Sequence, residues 1–237
     1  MRKHLKRLRV PGFWNVPRKA NKWVTRPRPG AHRLFESVPL AVVLRDMLKV
    51  AATGGEAKTI VKSRQVLVDG RVVADHKFGI GLMDVVSIPK LKKLYRVIPS
   101  HKGLELLETD AKDGAKKLYR VRGKVAAKSG KFQLSMHDGT TMLVSPAEAE
   151  AVALGDTLVF NTASKKVEET LKLEKGASII ITKGKNAGAV GKIDDIVATG
   201  TKEPDKIISN VGGEKMEVIK SYVFVVGKAE PVIKLAA

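Results

Sequence analysis

Residues 38–88 change their hydrophobic period from helical to extended, and this change limits the folds that the chain can adopt. The first part carries an apolar stripe with the spacing of one helical face, formed by Leu40, Val43, Leu44, Met47 and Leu48. Thr53 and Glu56 then fit a capping box, in which each side chain accepts a hydrogen bond from the other's backbone. This box predicts a second, short helix with Ala57, Ile60 and Val61 on its inner face.

The apolar residues next alternate at Val66, Val68 and Val72, which is the period of a strand with one buried face. The alternation is interrupted at Asp69-Gly70, a dipeptide typical of a tight hairpin turn. We therefore predict two helices, a hairpin and a further strand, which together form a small α+β domain over residues 38–107.

The segment before this domain, residues 1–37, is strongly basic. It holds eleven Lys or Arg residues and one acid, so it carries +10 of the chain's net charge of +20. Four prolines disfavour a long helix or a central strand there. We predict an extended arm that becomes ordered on a polyanion and that the domains do not need for folding. Its tryptophans, Trp14 and Trp23, could stack on bases or pack on protein, and the residues alone leave this open.

The rest of the chain predicts short strands after a linker at residues 100–117. A central β domain is expected over residues 108–172, with strands at 118–125, 132–136, 141–144 and 158–160 and a helical piece at 147–153. A compact five-stranded barrel is expected over residues 173–237, with strands at 178–182, 190–193, 207–211, 217–219 and 222–226. The fold class is thus multidomain, α+β and β.

Composition restricts the function. The 44 Lys and Arg residues outnumber the 24 Asp and Glu residues, which favours a polyanionic partner, nucleic acid first. The chain has no apolar run of the length of a membrane span, no cysteine and no signal-peptide core, so a cytosolic protein without membrane contact is expected. Its five histidines are scattered, which argues against a metal site. The glycines and lysines near residue 191 fail the P-loop pattern, and no catalytic pair can be identified.

The candidate RNA-binding residues are cations that can neutralise phosphates and planar or amide groups that can contact bases. Those in the arm are Lys3, Lys6, Arg7, Arg9, Trp14, Arg18, Lys19, Lys22, Trp23, Arg26, Arg28, His32 and Arg33. Those in the α+β domain are Arg45, Lys49, Lys58, Lys62, Arg64 and Arg71. A glycine-bearing loop between two predicted strands adds Lys183, Lys185 and Asn186. Its glycines, Gly184 and Gly188, would let the backbone approach a partner closely.

Three stretches resemble known families. AKTIVKSRQVLVDGRVV is similar to the second helix and hairpin of the S-four-type RNA-binding domain, and KGASIIITKGKNAGAVGKI resembles a KOW motif in an SH3-like barrel. The stretch LKRLRVPGFWNVPRKANKWVTRPRPGAHRLFESVPLAVVLRDMLK closely resembles the start of the S-four-e family of small-subunit ribosomal proteins, and the order of segments extends this resemblance over essentially the whole chain. The short end after the last predicted strand is closer to the archaeal than to the eukaryotic form.

The family resemblance implies a structural component of the small ribosomal subunit in the cytoplasm. It implies binding to small-subunit (16S-type) ribosomal RNA and to neighbouring ribosomal proteins, a part in translation, no enzymatic activity, no cofactor and no small-molecule substrate. Two alternatives stay open. S-four modules also occur on RNA-modifying enzymes such as pseudouridine synthases, and KOW motifs occur in transcription or chromatin factors outside the ribosome.

Overall fold

The computed structural model describes residues 5–200 and 203–235 of the 237-residue chain. These residues form mostly strands with few short helices, which confirms the predicted mixture of α+β and β structure. The chain divides into two compact units. The first contains the described residues up to Ile98 together with Lys102–Ala115, and the second contains Pro99–His101 and the described residues from Lys116 on. The finer division at residues 37, 107 and 172 stays a prediction.

The first unit combines a five-stranded sheet and two separate strand pairs with three short helices. Its strands are β1 (Leu5–Lys6), β2 (Trp23–Val24), β3 (Val38–Pro39), β4 (Leu67–Val68), β5 (Arg71–Val72), β6 (Gly79–Ile80), β7 (Val85–Ile88), β8 (Lys93–Ser100, whose last two residues belong to the second unit) and β9 (Gly103–Glu108). Its helices are α1 (Leu40–Val42), α2 (Gly54–Lys62) and a single turn, α3 (Ala111–Gly114). The main sheet has the order β5-β4-β7-β8-β9, and β1-β2 and β3-β6 form separate pairs.

The predicted first helix exists, but it is α-helical only at its start. It continues as a π-helical turn over Val43–Met47, in which the Leu48 N–H donates to the Val43 carbonyl at 2.9 Å. The predicted stripe is buried or half-buried, and so are Ala41 and Val42, which lie off it. The first residues of this helix, Leu40 to Leu44, are buried on every side and belong to the core of the first unit.

The second helix begins at its predicted cap. The Thr53 Oγ1 accepts from the Glu56 N–H at 3.2 Å, and the Glu56 carboxylate accepts from the Ala52 N–H at 2.9 Å, one residue before the cap. The hydrogen bond from Ala52, followed by those from Thr53, lowers the pKa of Glu56. The predicted inner face is confirmed, since Ala57 and Val61 are buried.

The hairpin is confirmed, with one correction to its buried face. Asp69 and Gly70 have φ values of 50° and 74°, as a type I′ turn requires. The two-residue turn pairs Val72 with Leu67, on the outward side of the sheet. Val72 is therefore 55% exposed, which corrects the prediction that it is buried. Val73 is the buried residue of this strand end instead.

The predicted linker at residues 100–117 is wrong. Gly103–Glu108 forms β9, which lies beside β8 at the edge of the main sheet. Leu104 and Leu106 alternate along it and pack against the core of the first unit. This period-2 pattern was present in the sequence, but the glycine and the mixed charges around it resembled a linker.

The arm packs on the first unit instead of extending away from it. Val10, Trp14 and Val16 belong to the same core as α1 and α2. The Trp14 side chain is 3% exposed, and its Nε1 donates to the Ser37 carbonyl at 3.0 Å. The arm has too little apolar surface to fold alone, yet it contributes buried residues to the core of the first unit. This burial argues against the expectation that the domains fold without the arm.

The second unit contains two antiparallel sheets. The first has the order β12-β11-β10-β13-β14 and the second β18-β17-β16-β15-β19. The strands are β10 (Lys116–Ala126), β11 (Phe132–Met136), β12 (Thr141–Val144), β13 (Thr157–Asn161), β14 (Lys166–Leu171), β15 (Ser178–Ile181), β16 (Val190–Val197), β17 (Lys206–Val211), β18 (Glu214–Ile219) and β19 (Val223–Gly227), with helix α4 (Pro146–Ala151) between β12 and β13.

The nine strands predicted for this part of the chain are confirmed, and β14 was missed because its sequence, KVEETL, is mostly polar. Its pairing with β13 stabilises it as an edge strand. The closure of the second sheet into an SH3-like barrel stays a prediction.

Two polar contacts organise the second unit. The Arg120 guanidinium on β10 donates to the Ser221 carbonyl at 2.7 Å and to the Lys220 carbonyl at 3.1 Å, which joins the two sheets. Lys117 Nζ lies 3.2 Å from the Asp138 carboxylate, and both side chains are buried. Burial by itself would raise the pKa of Asp138, but Lys117 and the hydrogen bonds from Thr140 outweigh it and lower the pKa. Within residues 5–200 and 203–235, no helix is long and apolar enough to cross a membrane.

We predict that Trp14→Ala destabilises the first unit strongly. Truncation of a buried tryptophan to alanine removes about 3–5 kcal/mol of unfolding free energy. The matched control is Trp23→Ala in the same arm: Trp23 is 50% exposed, so the change should cost much less, about 1 kcal/mol. Denaturant titration followed by circular dichroism measures both. Equal losses for the two variants would contradict a core role for Trp14.

Candidate nucleic-acid interface

The structure separates the predicted arm residues into a buried and an exposed set. Arg7, Trp14 and His32 are buried in the first unit, which leaves them no surface for a partner. Arg26 is half-buried. Lys3 lies outside the described residues. The exposed members are Lys6, Arg9, Arg18, Lys19, Lys22, Trp23, Arg28 and Arg33.

The Asp46 carboxylate holds two of the predicted arginines. Arg7 Nη2 lies 3.4 Å from its Oδ1, while Arg45 binds it through Nη2 at 2.6 Å and Nε at 3.2 Å. Arg7 is buried and the Arg45 side chain is 23% exposed. One carboxylate between two guanidiniums leaves an excess positive charge, and only Arg45 is placed to present it to solvent. The Arg7 contact attaches the arm to the helical segment that follows α1.

His32 fixes the end of the arm. Its Nε2 lies 2.8 Å from Asp84 Oδ2, and both side chains are buried. The same oxygen accepts from the Gly81 N–H at 2.9 Å. A Cβ at Gly81 would lie 2.2 Å from His32 Nδ1, so this contact requires glycine. We therefore assign His32 to the folding of the first unit and no longer to the binding surface.

A group of exposed cations surrounds the outer face of α2. Lys58 and Lys62 lie one helical turn apart, and both lower the pKa of His76. Burial is the largest cause of that lower pKa, Lys77 adds to it, and Asp75 opposes it. The charges of both α2 lysines and of Lys77 therefore act on the same imidazole, in the turn at residues 75–77.

The arm reaches the same turn. The Arg28 N–H donates to the Lys77 carbonyl at 2.8 Å, and Arg28 Nη1 lies 2.9 Å from Asp75 Oδ2. We call this group the α2 patch; it consists of Arg28, Lys58, Lys62, His76 and Lys77. The sequence prediction missed His76 and Lys77, because their approach to α2 depends on the tertiary fold and no local pattern indicates it.

Two predicted cations, Lys49 and Arg64, stand where glycine would be favoured. Their φ values are 54° and 56°, in the left-handed region, and both side chains are exposed. A residue with a Cβ pays about 1–2 kcal/mol for this backbone conformation. Arg64 ends α2, where its N–H donates to the Val61 carbonyl at 3.0 Å. A strained position that keeps a cation in place of glycine is a candidate functional position. Arg71 is also exposed, on the edge strand β5.

The predicted loop of the second unit is only partly available to a partner. Lys183 and Lys185 are exposed, whereas the Asn186 Nδ2 lies 3.0 Å from Met216 Sδ. A Cβ at Gly188 would lie 2.8 Å from the Pro99 carbonyl oxygen, so this glycine permits a close approach within the chain and not to a partner. Gly184 has a φ of 96°, a conformation that favours glycine, and it is exposed.

Comparison with known proteins gives two family matches. Residues 1–34 match the RS4NT domain, and residues 91–167 match ribosomal family S4e. The chain is 41% identical to small ribosomal subunit protein eS4 of Methanocaldococcus jannaschii, over 99% of this chain and 98% of that protein. It is 40% identical to the protein of the same name from Methanosphaera stadtmanae, over 99% and 96%.

A solved structure resembles the fold as well. The crystal structure of the 30S ribosomal protein S4e from Thermoplasma acidophilum matches with a TM-score of 0.71 and 31% identity, over 82% of this chain and 96% of that one. Sequence identity at this level along nearly the full length, with the same fold, shows that the chain belongs to the ribosomal S4e family.

Proposed function

We propose that this protein is a non-catalytic structural component of the small ribosomal subunit that binds small-subunit ribosomal RNA. The observation that carries the proposal is the α2 patch, where Arg28 of the arm binds the turn at residues 75–77 and the exposed lysines of α2 and of that turn act on one imidazole, His76. Such a surface suits the closely spaced phosphates of a folded RNA. The relatives of this chain are named as small ribosomal subunit proteins, which supports ribosomal RNA as the partner.

The contact surface that we propose is larger than the patch. The exposed arm cations, Lys49, Arg64 and Arg71 extend it on the first unit, and Lys183 and Lys185 offer a separate contact on the second. Assembly into the subunit would bring the protein into contact with neighbouring ribosomal proteins and would place it in the cytoplasm. The S-four-type character of the first unit and the KOW character of the last sheet remain predictions that support RNA as the ligand.

The two alternatives have less support. An RNA-modifying enzyme needs a catalytic domain, and the arm, the α+β segment and two small sheets account for the described residues. A transcription or chromatin factor would bind duplex DNA as well as RNA. The relatives named above favour the ribosome over both.

We predict that the affinity for small-subunit ribosomal RNA falls steeply with salt, because each neutralised phosphate releases counterions. The double variant Lys58→Gln/Lys62→Gln should reduce the log–log slope by about 2, one unit for each lost phosphate contact. The matched control is Lys175→Gln/Lys206→Gln, which removes the same charge from lysines paired with Asp195 and Glu217 and should leave the slope nearly unchanged. Filter binding over a salt series measures all three proteins.

Two results of this titration would contradict the proposal. A flat slope for the parent protein would exclude phosphate neutralisation as the source of affinity. Equal affinity for ribosomal RNA and for a duplex DNA of the same length would favour the transcription-factor alternative.

We predict that His76 reports occupancy of the α2 patch. The positive fields of Lys77, Lys58 and Lys62 add to burial in lowering its pKa, so Lys58→Gln/Lys62→Gln should raise that pKa toward its ordinary value. Bound RNA should raise it as well, because phosphates neutralise the same lysines. Titration of the imidazole resonances by NMR measures both changes. Lys90→Gln is the control, because Lys90 is not among the charges that act on His76. An RNA complex that leaves the His76 pKa unchanged would place the RNA elsewhere.

We predict that Arg64→Gly separates folding from binding. Relief of the left-handed φ should leave the unfolding free energy unchanged or raise it by up to about 1 kcal/mol, since the greater flexibility of glycine in the unfolded chain offsets part of the gain. The affinity for RNA should fall. Ser129→Gly is the matched control, because Ser129 has a φ of 64° and no charge: it should gain the same stability and keep full affinity. If the Arg64→Gly protein binds RNA with the affinity of the parent, Arg64 has no role in RNA binding.

A further inference from the structure

The turn Arg33–Glu36 presents an aromatic ring to solvent. The Glu36 N–H donates to the Arg33 carbonyl at 2.9 Å, which closes the turn around Leu34 and Phe35. Phe35 is 73% exposed, the highest value among the large apolar side chains in the described part of the chain. Single exposed apolar residues are common on protein surfaces, so exposure by itself assigns no role to this ring.

The turn is anchored at both ends by buried residues. On one side, His32 is held against Asp84 by the 2.8 Å contact and by the close approach of Gly81. On the other, Ser37 is buried, its carbonyl accepts from Trp14 Nε1, and its Oγ would lie 2.9 Å from a Cβ at Gly79. Both anchors form when the first unit folds. The ring is therefore held in a defined place, and a partner that contacts it does not have to order the turn.

A cation stands beside the ring. Arg33 is exposed and makes no salt bridge with any residue of the described ranges. It belongs to an arm whose net charge is +10, which favours an anionic partner over an apolar protein pocket. A fixed aromatic ring with a cation two residues away is the combination that binds unpaired nucleotides, in which the base stacks on the ring and the phosphate contacts the cation.

We propose that Phe35 stacks on an unpaired base of the ribosomal RNA and that Arg33 binds the phosphate next to it. The proposal rests on the proposed function and adds a site to it: one that contacts a single-stranded loop or bulge, whereas the α2 patch contacts phosphates alone. It also assigns the stacking role to a residue other than the two tryptophans, of which Trp14 is buried.

The test compares variants of the full chain in binding to small-subunit ribosomal RNA. We expect Phe35→Ala to weaken binding by about 5- to 150-fold, the range for one base stacked on an aromatic ring, with an unchanged salt slope. Phe35→Tyr should bind like the parent, and Phe35→Leu should bind like Phe35→Ala because it keeps the apolar volume but loses the ring face. Arg33→Gln should reduce the salt slope by about 1. Leu143→Ala, at an aliphatic residue of the second unit that is 65% exposed, is the control and should change neither quantity.

The outcomes separate this site from the proposed function. If Phe35→Ala binds RNA as tightly as the parent while Lys58→Gln/Lys62→Gln binds more weakly, the stacking site is refuted and the proposed function stands. If Phe35→Leu binds like the parent, the ring contributes only apolar surface and stacking is refuted. If Phe35→Ala loses incorporation into subunits but not affinity for naked RNA, the ring contacts a neighbouring protein instead. If the parent binds no ribosomal RNA, the proposed function itself fails.

Discussion

The burial of Trp14 is the contact on which the shape of the first unit depends. This side chain lies in the core formed by α1 and α2 and donates to the Ser37 carbonyl, so it links the middle of the arm to the point where the α+β segment begins. The arm is also held before Trp14 by the contact of Arg7 with Asp46, and after Trp14 by the contact of His32 with Asp84. With these three anchors, a segment of high charge and low apolar content has a defined path over the domain, and its exposed cations have defined positions.

The basic residues consequently serve two purposes. Some stabilise the protein: Arg7 and Arg45 share one carboxylate, Lys117 neutralises a buried aspartate, and Arg120 joins two sheets through backbone carbonyls. A buried cation needs such a partner because it has lost its hydration. Others lie exposed around α2, on the arm and at the loop tip of the second unit. Net charge therefore indicates a polyanionic partner, but burial and pairing decide which cations can reach it.

Backbone conformation adds a second criterion for functional cations. Lys49 and Arg64 hold a φ that glycine would adopt at less cost, and each is exposed. Gly81, Gly103 and Gly188, by contrast, are required by close contacts within their own unit. A glycine at a close contact is therefore explained by packing. A cation that holds a φ typical of glycine is a candidate for contact with a partner. The Arg33–Glu36 turn follows a similar logic, since buried neighbours hold an exposed ring that packs on nothing in its own core.

The sequence determined the elements that local physics controls. The Thr53 cap and the Asp69-Gly70 turn depend on neighbours within a few residues, and short apolar stretches between turn residues mark the nine predicted strands after residue 117. These patterns could therefore be recognised without the fold. The family resemblance was readable for the same reason, because its motifs are contiguous. The strands β9 and β14 were missed although each lies beside the strand just before it, because polar and charged residues obscured their alternation. Tertiary structure alone decided what depends on distant partners: the burial of Trp14, Arg7 and His32, and the effect of the α2 lysines on His76. In each of these, the partner that supplies the energy lies far away along the chain, and no local pattern records it.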